Sequence, residues 1–276
     1  ATAMAFLSDA WLGVCDLGKA FELRRQNVEL SRLRANATPE DPERQLDVAY
    51  ALSGLAAVQK QLSLSDQALE GLRESERILS RVLQKDPQNL AVAWEVNLRK
   101  QRIVWLVANT GQPEPGWEQY KNLLPTFKAD FEQGMKSDFG AAVDLAEAEI
   151  DFSALAWRIG EKQAAETELN NALERLSRLI SEKPDNRASR YQMARGVFAQ
   201  WVQTGQLPAA EAGASLGDYL QDPERVRSCG DANLAARLAV MHGDEMLARR
   251  YTSYLLDRGF FDPEFIGFCQ GYGICN

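Results

Sequence analysis

Apolar residues recur three and four positions apart over long stretches of this chain, the spacing that places them on one face of an α-helix. In 89–111, "NLAVAWEVNLRKQRIVWLVANTG", Leu90, Trp94, Leu98, Trp105 and Ala108 share such a face. The same period runs through 46–62, 139–160 and 187–205, and the intervening 65–85 and 161–183 are amphipathic as well. The tail adds an antiparallel pair over 231–241 and 244–257. No segment alternates polar and apolar residues, and no Asn-Gly or Asp-Gly pair marks a β-hairpin. The pattern predicts an all-α protein.

The breaks between helices carry as much information as the helices. "DPER" begins at 41, "DPQN" at 86, "KSDFG" at 136, "KPDN" at 183 and "DPER" again at 222, a recurrence every 40 to 50 residues. Asp86 before Pro87 reads as an N-cap followed by proline at the first helical position. Between breaks lie short polar or glycine-bearing turns: 63–66, 110–116, 159–162, 204–208 and 242–245. A long helix, a tight turn and a second helix at one period predict a right-handed solenoid of five to six antiparallel helix pairs. The expected segments are N-terminal helices over 1–40, the helix-pair array over 41–228, and a terminal pair with a cysteine-containing cap over 229–276.

The second helices resemble the tetratricopeptide repeat family. In "NNALERLSRLISEKPDN", Ala172, Leu176, Leu179 and Pro184 stand where that repeat has its small, bulky, small and proline positions, and Ser75, Leu79, Val82 and Pro87 do the same in "LRESERILSRVLQKDPQN". Gly54 echoes the family's first-helix glycine, but these first helices run longer than a 34-residue repeat allows. The resemblance covers about residues 40 to 260 and implies a solenoid that binds proteins or peptides. The tail, 229–275, resembles the ends of bacterial membrane-anchored regulators of the Ser/Thr kinase and winged-helix types, in its spaced cysteines and "LLDRGFFDPEF". That likeness implies an extracytoplasmic signalling role, with any catalytic half elsewhere, since no kinase signature is present.

Composition narrows the class further. The formal net charge of −8 disfavours nucleic acid as a partner. No apolar run approaches the ~18 residues of a membrane span, so no direct insertion is expected, although a tether upstream remains compatible. The chain begins at Ala1, and "AMAFLSDAWLGV" reads as the first helix of an excised fragment, not as a signal peptide.

Candidate chemistry is sparse. His242, the only histidine, falls in a turn. No Gly-x-Ser-x-Gly or Ser-x-x-Lys motif marks a nucleophile. Asp144, Glu147 and Asp151 share a helix face, which reads as a solvated acidic stripe or as acid–base carboxylates. No catalytic residue, metal site or cofactor is assigned. Of four cysteines, Cys229, Cys269 and Cys275 are disulfide candidates, with free thiols as the alternative, while Cys15 is expected unpaired at the far end of the stack. The aromatic tail, with Phe260, Phe261, Phe265 and Phe268, is expected to cap the last pair at a distance from any binding groove.

Charge on the first helices changes sign from one to the next: Arg99 and Arg102, then Asp144, Glu147 and Asp151, then Arg187, Arg190 and Arg195. Two readings stand, pairing between adjacent layers or a charged groove for a protein or peptide ligand. The groove reading assigns binding to Arg99, Arg102, Asp151, Arg195 and Trp201. Trp94, Trp105 and Trp157 also lie on first helices, most of them expected in the core. The function expected is a non-catalytic binding or sensory module, the extracytoplasmic part of a membrane-anchored regulator. An autonomous periplasmic scaffold is the alternative function, and the cytoplasm the alternative location.

Overall fold

The computed structural model describes residues 2–111, 113–206 and 228–275. Among these, twelve α-helices and no strands occur: α1 (Thr2–Leu12), α2 (Leu17–Ala37), α3 (Pro42–Gln61), α4 (Ser65–Lys85), α5 (Leu90–Asn109), α6 (Pro113–Asp130), α7 (Phe139–Arg158), α8 (Lys162–Glu182), α9 (Arg187–Thr204), α10 (Cys229–Met241), α11 (Glu245–Leu256) and α12 (Pro263–Gly271). A π-helical turn, Phe131–Met135, extends α6. The described pairs are α1/α2, α3/α4, α5/α6, α7/α8 and α10/α11, and α9 packs on α7, α8 and α10. The break predicted at 222 lies outside the described residues.

Most helices start where a short polar side chain accepts from an otherwise unpaired N–H of the first turn. Asp41 accepts from the Glu43 N–H just ahead of Pro42, and Asp138, Asn186 and Ser228 accept from Ala141, Ser189 and Asp231. The cap of α5 differs from expectation. Asn89 takes the Val92 N–H, while Asp86 closes α4 with its own N–H on Val82 O. Pro87 therefore lies in the turn, where its lack of a donor costs nothing. The α12 helix was not anticipated. Asp262 and Pro263 start it with the same cap-plus-proline device as Asp41 and Pro42.

Two halves of the array keep one register. The caps Asp41 and Asp138 are 97 positions apart (138 − 41), and so are both ends of α3 and α7, both ends of α4 and α8, and the caps Asn89 and Asn186. Core positions follow the same offset: Ala49 and Ala146, Ala68 and Ala165, Leu79 and Leu176 are each fully buried. Ser75, Leu79 and Val82, like Ala172, Leu176 and Leu179, face inward as tetratricopeptide-like second helices require. At the turn within each pair one residue is left-handed: Cys15, Ser63, Gly111, Gly160 and Gly243, with φ of 57°, 61°, 105°, 90° and 73°.

The array then closes on itself, which corrects the expectation that Cys15 stands unpaired at the far end of the stack. Cys15, in the first turn, is bonded to Cys229 at the start of α10, across 214 residues of sequence. Cys269 and Cys275 pair with each other. Stacked pairs rotate a little at each step, and here the rotation brings the last pair back beside the first. One core joins Leu12, Cys15, Leu17 and Leu62 to Phe260, Phe265 and Phe268 of the tail. The Phe261 N–H donates to Gln61 O at 2.7 Å, and Lys60 Nζ lies 3.0 Å from Asp262 Oδ2. Phe261 itself stays exposed, unlike its three aromatic neighbours. The tail seals the gap between the two ends of the array.

Candidate functional site

Closure frames a cavity of about 1000 Å³ that remains open to solvent. Its wall is built from α3, α5, α7, α9 and α10, with Arg24 from α2 and one side of α12. The register described above fixes which positions face it. Tyr50, Ser53, Gly54, Lys60 and Gln61 of α3 line it, and so do their counterparts Glu147, Ile150, Asp151, Trp157 and Arg158 of α7. The tail is part of the same wall through Glu264, Phe268 and Tyr272. The expectation that the cap sits far from the groove is thereby overturned.

Seven cationic side chains and four carboxylates face the space. Most are held in pairs that tie one helix to another. Asp151 accepts from Arg195 Nη2 and Gln101 Nε2, both at 2.6 Å, joining α7 to α9 and α5. Glu264 lies 3.0 Å from Arg237, whose guanidinium sits over the Phe268 and Phe198 rings at 4.7 and 5.6 Å. Lys60, Arg195 and Glu264 keep part of their surface open to the cavity and are otherwise packed in protein, which strengthens each charge's hold on its neighbours.

The titration of these groups records that competition. Burial pushes the Asp151 carboxyl up to about 7, against the pull of Arg195. Burial likewise raises Asp144 to about 6, although the Trp94 indole N–H donates to it at 3.3 Å. Desolvation opposes charge on Arg195 and Lys60 too. For Arg195, Asp151 and Glu147 outweigh it and strengthen the bound proton; Asp262 and Glu264 do so for Lys60. Burial would raise Glu264, but Arg237, Arg195 and Lys60 together hold it below the ordinary carboxylate range. The acidic face of α7 is therefore not a solvated stripe. It is a set of polar bridges between layers, and Asp151 is 1% exposed.

The residues singled out in the sequence take different places. Arg99, Arg102, Asp151 and Arg195 all reach the wall. Arg99 is almost fully buried, bonded to Ser75 Oγ at 3.2 Å and paired with Glu95 at 2.8 Å. Arg102 is exposed and donates to Ser53 Oγ at 3.0 Å. Trp201 is set behind the wall, with its ring 5.7 Å from Phe198 and 6.3 Å from Tyr272. Trp105 and Trp157 line the cavity, whereas Trp94 is core, 4.2 Å from Phe127. Sequence reasoning missed Arg24, Lys60, Arg237 and the α12 residues. Gly54 was a signal for the first of these. A Cβ there would lie 2.6 Å from Arg24 Nη1, so the missing side chain is what lets the guanidinium lie against α3.

His242 caps α10 in an exposed turn, and no group of three metal-ligating side chains occurs among the described residues. Nor is any described helix long and apolar enough to cross a membrane. No family model and no curated protein matches the sequence. Among solved structures the chain is similar to BtubC (BKLC) from P. vanneervenii, at 14% identity over 93% of each chain and a TM-score of 0.44. It is also similar to a tetratricopeptide repeat protein from Parabacteroides merdae, at 13% identity over 98% of this chain and 97% of that one, with a TM-score of 0.33. Neither score adds to what the geometry above establishes, an all-α solenoid of helix pairs closed by a C-terminal cap.

Proposed function

We propose that this chain is a non-catalytic binding module that encloses a peptide segment of a partner protein, serving as the extracytoplasmic sensory part of a bacterial membrane-anchored regulator. The observation that carries the binding reading is the cavity, about 1000 Å³ and lined at equivalent positions of successive first helices. That volume is at the upper end of small-molecule pockets, and the surface is the one that stacked helix pairs offer to extended ligands. Its carboxylates face arginines and a lysine, an arrangement that fixes charges in place and leaves no base poised beside a nucleophile. Two disulfides support an oxidising compartment. The sensory role draws on the tail's resemblance to membrane-anchored regulators.

The test uses the disulfide-bonded protein and a pool of random hexapeptides that lack tryptophan. Trp105 and Trp157 on the wall should report occupancy as a saturable change in intrinsic fluorescence. A flat titration up to millimolar pool concentration would sink the binding reading.

A further inference from the structure

We infer that the cavity takes its peptide by a carboxylate, seated against Arg102 on the wall formed by α3 and α5. This rests on the peptide-binding reading and specifies its chemistry. Once the internal pairs are set aside, positive charges remain in excess, with Glu147 the one carboxylate beside them, bonded by Gln192 Nε2 at 2.9 Å and 3.8 Å from Arg195. Asp151 is committed to Arg195, Asp262 to Lys60, and Glu264 to Arg237. Among the described residues Arg102 makes no ion pair: its one hydrogen bond is to the neutral Ser53 hydroxyl, and it acts on Asp144 only through space. Arg158, at the end of α7, likewise bonds only Asn109 Oδ1 and Ala108 O.

Buried donors add a second, independent observation. Arg24 pairs with Asp9 through Nη2, but its Nε has no acceptor, and Arg237 Nη2, although 3.0 Å from Glu264, lies outside hydrogen-bonding geometry with it. Both side chains are on the cavity wall. Arg24 reaches α3 at Gly54, and Arg102 reaches it at the adjacent Ser53. Two guanidinium groups thus meet one short stretch of helix, with the Tyr50 ring one turn away. A carboxylate can accept from such groups in pairs, and those bonds strengthen where water is scarce. A lysine-bearing peptide would add like charge to the same wall. The aromatic surface of Trp105, Trp157, Phe268 and Tyr272 suits apolar side chains flanking the acid.

The experiment compares defined hexapeptide pools on the disulfide-bonded protein, read by tryptophan fluorescence. One pool combines Asp and Glu with Leu, Phe, Ala and Gly. Matched pools replace the acids with Asn and Gln, or with Lys and Arg. Each is acetylated and made with a free or an amidated C-terminus. The acidic pool should bind at least tenfold more tightly than the neutral one, and Arg102→Gln should abolish that preference. Arg73→Gln, exposed on α4, should leave it intact. The net charge of −8 repels acidic peptides at long range, so the preference would report the cavity itself. Amidated pools that bind as well as free ones assign the carboxylate to a side chain; a loss on amidation assigns it to the peptide terminus. Equal binding of all three compositions with no loss on amidation, or a carboxylate preference that survives Arg102→Gln, overturns the carboxylate inference and leaves peptide binding standing. No response to any pool removes both.

Discussion

Leu79 and Leu176 occupy the same place in two copies of one helix pair, and each is fully buried. Gly54 and Asp151 are equally equivalent, yet one is a gap filled by Arg24 and the other a buried acid tied to Arg195. The contrast runs along the wall. Lys60 stands opposite Trp157, Tyr50 opposite Glu147, Arg102 opposite Ala199 and Trp105 opposite Val202, and all eight line the cavity. Between the halves α3–α5 and α7–α9, the repeated frame decides which positions face inward, and the residue types set there decide what the space can hold. Stability resides mainly in what the halves share; specificity resides in where they differ.

The hardest test of the comparison removes the bond that makes both halves face one space. In the chain-entropy account, opening a 214-residue loop costs about 5 kcal/mol, against about 2 for the loop that separates Cys269 from Cys275. Cys15→Ser with Cys229→Ser should therefore lower the urea midpoint far more than Cys269→Ser with Cys275→Ser. Equal shifts would show that closure is held by packing alone. Next in size is the shared core. Leu79→Ala and Leu176→Ala should each cost about 2 to 5 kcal/mol and agree to within about 1, since each residue fills the same kind of interlayer position. A large inequality would mean the frame is not mechanically equivalent in its two copies.

The smallest effect isolates what only the second half has. With its carboxyl raised from 3.8 to about 7, Asp151 holds a proton in the folded chain that the unfolded chain releases between those values. Its stabilising contribution is complete at low pH and is lost as pH rises through 7. Asp144, raised to about 6, acts in the same direction. The thermal midpoint should thus fall between pH 5 and pH 8, and Asp151→Asn should flatten that slope by removing one of the carboxyls that burial raises, leaving Asp144, Glu149 and Asp130. Gly54, its counterpart, offers no titrating group. A slope unchanged in the variant would place the proton elsewhere.

Much of the frame was legible because it is local. Helical spacing, the Asp and Asn caps, and the Ser75/Leu79/Val82 pattern are each written within a few turns of chain. The helix α12 went unread, although its Asp262–Pro263 device repeats Asp41–Pro42. Closure was not legible. Whether Cys15 meets Cys229 depends on small rotations summed over successive pairs, and no single spacing records that sum. The site was readable as positions more than as roles. Arg99 and Arg102 look alike on α5, but the Ser75 hydroxyl and Glu95 draw one into the interior, while the other keeps its charge open.

An open solenoid has two ends, and loss of structure can creep inward from either. The Cys15–Cys229 bond leaves only 14 residues before it and 47 after it outside a covalent ring (15 − 1 and 276 − 229). A pull on the two termini, as between a tether and a captured partner, would run through those flanks and the sulfur bridge, bypassing the helices in between. The wall from Arg24 to Gln203 thus lies in the part of the molecule that carries no load, while α10 and α12, which complete it, stand in the loaded flank.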